Sequence, residues 1–188
     1  MIQLDSEFFI VIDIEASGPS PDLYAMLSLG AATLTEPAQT FYREFQPDSE
    51  LVNKESLEIS NLSMHELAEN AHPPKQALQQ FSQWIQTVTP SGKIPIFTAF
   101  NAPFDWMFVN TYFHRYLGYN PFGHKALDIK ALFMGYHQVP FLNTSHYEIC
   151  EHYNLHTLLT HHALEDAIQE AEILKLLLQE IFNYKEKK

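Results

Sequence analysis

The sequence predicts an α/β fold, a mixed β-sheet flanked by helices. Three observations carry that expectation. Five apolar residues in a row, Phe8–Ile12, read as a strand buried on both faces. Two further strand patterns follow with short links, which suggests an antiparallel start to the sheet. Beyond residue 53 helical patterns alternate with short apolar strands, the order that lays helices on a sheet. The chain has 188 residues, 46% of them apolar, which suits a single domain over 1–188 with a substantial core and argues against disorder.

The first strand runs into Asp13-Ile14-Glu15-Ala16-Ser17-Gly18. Residues i and i+2 of a strand share a face, so both carboxylates lie side by side at the end of a buried strand. Ser17-Gly18-Pro19-Ser20-Pro21 then breaks it. Like charges this close raise each other's pKa unless something positive lies between them, and a hard divalent cation is the usual answer. The plain alternative is a strand end with two solvated acids. Tyr24–Thr35 and Thr40–Gln46 read as the second and third strands, joined by a hairpin turn at Glu36-Pro37-Ala38-Gln39.

From Asn53 the chain turns helical in two pieces. Ser63-Met64-His65-Glu66 has the pattern of a capping box and marks a start near Ser63. Pro73 and Pro74 open the second of these, where Ala77, Leu78, Phe81, Trp84, Ile85 and Val88 form a face that should pack on the sheet. Ile94–Phe100 is a fourth strand. Asn101-Ala102-Pro103 turns into a helix over about Phe104–Leu117. Ala126–Ile129 is a short strand leading into a helix through about Gly135. Asn143-Thr144-Ser145 offers caps for a helix to about Tyr153. The last helix covers about His162–Asn183, with a buried stripe of Ala163, Ala167, Ile168, Ala171, Ile173, Leu174 and Leu177 and a charged tail over about 184–188.

Composition removes several classes of function. The formal charge is −12, from 11 Lys+Arg against 23 Asp+Glu, which argues against gripping long nucleic acid by phosphate neutralisation alone. No stretch is long enough to span a bilayer, and Phe8–Ile12 lacks the flanks of a secretory signal, so no membrane partner is expected. The single Cys150 excludes an internal disulfide framework and suits a reducing, cytoplasmic setting. Among His146, His152, His156, His161 and His162, only His152/His156 has the i, i+4 spacing of a helical zinc pair. No HExxH pattern accompanies it, and the zinc reading is set aside.

Two later segments bring acids toward the end of the sheet. Asp105 sits in the first turn of a helix that leaves a strand. Asp166 lies one turn into the last helix, beside Ala163 and Ala167, whose small side chains let a helix approach a sheet closely. Taken singly, each reads as an acid complementing a helix dipole.

Asp13-Ile14-Glu15, Asn101-Ala102-Pro103-Phe104-Asp105 and His161-x-Ala163-x-x-Asp166 resemble, in order and separation, the three motifs of the DEDDh (DnaQ-like) 3′–5′ exonucleases. The resemblance spans residues 8 to about 175. Asn120-Pro121-Phe122 and Asp128-Ile129-x-Ala131 are also similar to the ribonuclease T branch. It implies an RNase H-like fold with a five-stranded mixed sheet. It implies two divalent cations, Mg²⁺ or Mn²⁺, held by Asp13, Glu15, Asp105 and Asp166, with His161 as the general base. It implies release of nucleoside monophosphates from 3′ ends of single-stranded DNA or RNA, with Ser17, Gly18, Asn101 and Phe104 at the substrate. Phe104, Trp106 and Phe122 could stack on bases, though core positions suit most such aromatics better. A proofreading subunit bound to a polymerase, a homodimer, and a non-catalytic binding module of the same fold are the alternatives. The chain departs from the family in Ala16-Ser17, where Thr-Thr is common, in Pro19 after Gly18, and in Phe100, where His often precedes the Asn. None of these removes an acid.

Overall fold

The computed structural model describes residues 6–156 and 159–186, with side chains up to 182. Five strands form one sheet in the order β3-β2-β1-β4-β5: β1 (Glu7–Ala16), β2 (Met26–Thr33), β3 (Thr40–Glu44), β4 (Ile94–Ala99) and β5 (Ala126–Asp128). The first three are antiparallel neighbours, while β4 and β5 join in parallel, so the sheet is mixed. The expected hairpin between β2 and β3 is closed by Thr33, whose N–H donates to the Gln39 carbonyl (3.0 Å) and whose hydroxyl accepts from the Gln39 N–H (2.9 Å).

Side-chain alternation along β1 divides the core. Phe8, Ile10, Ile12 and Ile14 join one apolar cluster with α3 (Pro74–Val88) and α4 (Ala102–Leu117). Val11, on the opposite face, belongs to a second cluster with α5 (Ile129–His137), α6 (His146–His152) and α7 (Ala163–Glu186). Asp13 and Glu15 continue the Val11 face. The expected face of α3 is buried, with Trp84 half-exposed at its margin.

Four corrections concern the helices. Before α3 there are two short helices instead of one, α1 (Lys54–Ser60) and α2 (Met64–Asn70). Asn53 caps α1 by accepting from the Ser56 N–H (3.2 Å), and Asn61, at φ 54°, ends it. A left-handed residue stops a helix because the next carbonyls turn away. Ser63 caps α2 through the Glu66 N–H (3.3 Å), while the reciprocal capping box forms at Ser145 and Glu148 on α6. On α7, Ile168 is 42% exposed and leaves the expected stripe. At about 100° per residue it falls well off the line through Ala163, Ala167 and Leu174, and Glu170 and Leu178 are buried in its place. α7 also runs to Glu186, so the start of the expected tail is helical; Lys187 and Lys188 lie outside the described residues.

Candidate active site

The parallel pairing of β1 with β4 runs only from Glu7 to Val11, whereas its antiparallel pairing with β2 continues to Ala16. The last turn of β1 therefore offers backbone to a different partner. Asp105, 3% exposed in the first turn of α4, accepts from the Ile14 N–H at 3.2 Å. This fixes the Asp105 carboxylate on Ile14, the residue between Asp13 and Glu15, at the same strand end. Asn101, which starts α4, adopts the left-handed conformation (φ 65°), one that Asn tolerates better than most residues.

The opposite wall is the start of α7. In the β1–β2 ladder Asp13 stands across from Gly30. A Cβ on Gly30 would lie 2.2 Å from the Ala163 carbonyl carbon and oxygen. The helix backbone therefore rests directly on the sheet beside Asp13. The sequence reading credited Ala163 and Ala167 with that approach, and both are buried; Gly30 was missed, and it is the residue that allows backbone-to-sheet contact.

Asp166, 2% exposed, is held by its own approach loop. It accepts from the Thr160 N–H (2.9 Å), the Thr160 hydroxyl (3.2 Å) and the His161 N–H (2.9 Å). Those bonds hold His161 at φ 54°, a strained conformation that persists only where its surroundings over-determine it. Side-chain ligand atoms of Glu15, His161 and Asp166 lie within 4.8 Å of one another. His162 lies toward the β3 edge of the same face, its ring stacked on Tyr42, which pairs with Gly30, at 4.7 Å and 22°. The two adjacent histidines thus occupy different environments.

A fifth acid, Glu170, completes the cluster. It is 3% exposed and accepts from the Phe100 N–H (3.3 Å) at the end of β4. The sequence contained a signal for it: it follows Asp166 by four residues, one helical turn along the same face.

Burial, followed by the carboxylates of Glu170, Asp105, Glu15 and Asp166, holds Asp13 well above the usual carboxylate range. Burial also raises Asp105, against the bonds its carboxylate accepts from backbone N–H groups. Glu170 is raised by burial and then by Asp105. Glu15 is pushed up to about 8 by burial and then by Asp166. Carboxylates buried together without compensating charge are costly. Among the described residues, Arg115 and Lys175 pair instead with Asp48 and Glu36. An all-oxygen donor set of this kind fits hard divalent cations, and Asp13, Glu15, Asp105 and Asp166 are the residues that would hold them.

The expected substrate contacts fare unevenly. Ser17 is fully buried; its hydroxyl donates to the Leu51 carbonyl and accepts from the Ala25 N–H, both at 2.9 Å. It anchors the loop after β1 and does not present a free hydroxyl. Gly18 is buried against the Tyr24 ring, which leaves no room for a Cβ. Asn101 is exposed, and Phe104 is half-buried against Phe108, with ring centres 5.3 Å apart. Phe122 packs on Phe97 (5.5 Å) and Trp106 on the same ring (5.1 Å), so both serve the core. Arg115 is engaged by Asp48 at 2.9 Å.

A five-stranded mixed sheet with acids gathered at its open end is the architecture of the RNase H-like nucleases of the DEDDh type. The exonuclease family RNase_T matches residues 10–174. An Escherichia coli protein described as the 3′–5′ DNA exonuclease Cap18 is 39% identical over 176 residues, 94% of each chain. Among solved structures, the nuclease domain of 3′hExo, a DEDDh member bound to rAMP, superposes with TM-score 0.80 at 18% identity over 94% of each chain. Escherichia coli exonuclease I in complex with a dT13 oligonucleotide gives 0.74 at 14% identity, over 95% of this chain and 43% of that one. The chain belongs to the RNase_T exonuclease family and is a 3′–5′ exonuclease.

Proposed function

We propose that the chain removes nucleoside monophosphates one at a time from the 3′ end of single-stranded DNA, using two divalent cations, Mg²⁺ or Mn²⁺. The observation that carries this reading is the convergence of Asp13, Glu15, Asp105 and Asp166 from three elements, with His161 beside Glu15 and Asp166. Bound there, the cations would activate the attacking water and neutralise charge on the leaving 3′ oxygen. His161 accepts the water's proton. Its exposed side chain stands ahead of the helix, and hydrogen bonds from its own backbone and its neighbour's to Asp166 fix the loop that carries it. The half-buried Phe104 and exposed Asn101 would contact the terminal nucleotide, with Gly18 packed against Tyr24 in the loop after β1.

DNA is placed first because the 39% identical relative is described as a DNA exonuclease. The net charge of −12 suits short or partner-presented ends over long-range grip. A stand-alone enzyme and a polymerase's proofreading subunit both suit that charge. The single, buried Cys150 suits a cytoplasmic setting. Digestion of matched 5′-labelled DNA and RNA oligonucleotides, single- and double-stranded, with Mg²⁺, Mn²⁺ or EDTA tests the proposal. The expected result is a metal-dependent ladder shortened from the 3′ end, strongest on single-stranded DNA. Undiminished cleavage in EDTA refutes the metal mechanism, and a preference for RNA refutes the substrate assignment.

A further inference from the structure

Away from the acid cluster, three elements bring a second set of ligand atoms together. His137 ends α5, His152 ends α6, and Glu180 lies on the outer half of α7. His137 Nε2 is 3.2 Å from Glu180 Oε2, and the His137 and His152 rings are 4.4 Å apart. One ligand atom from each of the three falls within 4.8 Å of the others. The tetrahedral zinc geometry needs ligand atoms about 3.4 Å apart, from bonds of about 2.0–2.1 Å. The exposed His152 has room to close the remaining gap by a change of rotamer.

The surroundings suit a metal. Tyr153 donates its hydroxyl to Glu180 Oε2 at 3.0 Å, the outer hydrogen bond that typically orients a ligating carboxylate. Phe133 packs against both imidazoles, with ring centres at 4.3 Å and 5.3 Å, and gives the site an apolar floor. Burial, and then His152, push His137 below its ordinary pKa, toward the neutral form that ligates metals.

We propose that His137, His152 and Glu180 form a second metal site of the zinc class, with water in the fourth position, that fastens α5 and α6 to α7. Two imidazoles and one carboxylate favour a borderline ion such as Zn²⁺ over Mg²⁺. Glu180 stands fourteen residues beyond Asp166 on one helix, about 21 Å along its axis, so the site stands apart from the acid cluster. It pairs His152 with a residue of another helix. His156, the partner its spacing suggests, lies beyond the end of α6.

The test uses the full chain carrying Asp13→Asn and Asp166→Asn, which weakens ion binding at the acid cluster. Zinc retained after equilibrium dialysis, the visible spectrum with Co²⁺ in place of Zn²⁺, and the melting temperature with and without Zn²⁺ are measured. They are repeated after adding His152→Ala and, separately, Glu180→Gln, which keeps an acceptor for Tyr153. The expected result is one zinc per chain, a tetrahedral Co²⁺ spectrum and a zinc-dependent rise in melting temperature. Each added substitution should weaken zinc at least about tenfold and abolish that rise. Absence of zinc in the parent, or unchanged zinc in His152→Ala and Glu180→Gln, overturns the proposal.

Discussion

Gly30→Ala should disable the enzyme without touching any acid. Gly30 faces the first turn of α7 from β2, directly across from Asp13. The added methyl would stand 2.2 Å from the Ala163 carbonyl atoms and 2.3 Å from the Leu164 nitrogen. Those are backbone atoms of a helix held in the core by Leu174, Leu177 and Leu178, so no side chain can swing aside. The start of α7 must retreat by roughly 1 Å, and a misplacement of that size costs about 10²-fold in rate. Overpacking of this kind also costs about 1–3 kcal/mol, which for a chain of this size lowers the melting temperature by about 2–4 °C per kcal/mol. Turnover of a 5′-labelled single-stranded oligonucleotide and calorimetric melting report the two effects. Gly135→Ala is the control: a Cβ there meets nothing within 4 Å, and the change should leave activity intact and stabilise slightly. A Gly30→Ala enzyme with wild-type turnover would refute the claim that direct helix-to-sheet contact positions Asp166.

Further outcomes follow from the same geometry. Asp13→Asn or Asp166→Asn should abolish turnover, while Asp13→Asn melts no lower than wild type without metal, because it removes charge from a repelling cluster; a wild-type rate in either would contradict the ligand assignment. His161→Ala should lose about 10²–10⁴-fold in rate at neutral pH, and His162→Ala, stacked on Tyr42, should lose little; kinetics of both variants across pH would reverse the assignment if the defects were exchanged. In EDTA, stability should fall as pH rises from about 4.5 to about 8, because the folded state keeps the Glu15 proton after the unfolded chain has released it. Asp13, Asp105 and Glu170 act in the same direction. Melting curves at pH 5 and 8 check this, and Mg²⁺ should flatten the slope; a higher melting temperature at pH 8 in EDTA would contradict it.

Residues whose chemistry repeats with the period of their element were legible in the sequence. Asp13 and Glu15 announce themselves because a strand places i and i+2 on one face, and the preceding apolar run says the strand is buried. Asp105 and Asp166, ambiguous alone, gained meaning from their order and spacing relative to that pair. Features that depend on what another element brings were not legible. Gly30 carries no side chain to read, and its role exists only because α7 lies on it. Glu170 looked like one more helix acid until the Phe100 N–H and the cluster gave it partners. Ser17 kept a hydroxyl in a family position, yet Leu51 and Ala25 engage it. His137 and His152 are fifteen residues apart and meet only because α5 and α6 both end against α7.

The central claim is that four carboxylates hold two catalytic cations. An anomalous difference map from crystals soaked with Mn²⁺ and a nucleoside monophosphate measures this directly. The account predicts two peaks, bounded by Asp13, Glu15, Asp105 and Asp166, with the nucleotide phosphate against both and His161 facing it. A map with no manganese at these carboxylates, under conditions where the enzyme turns over, would contradict it.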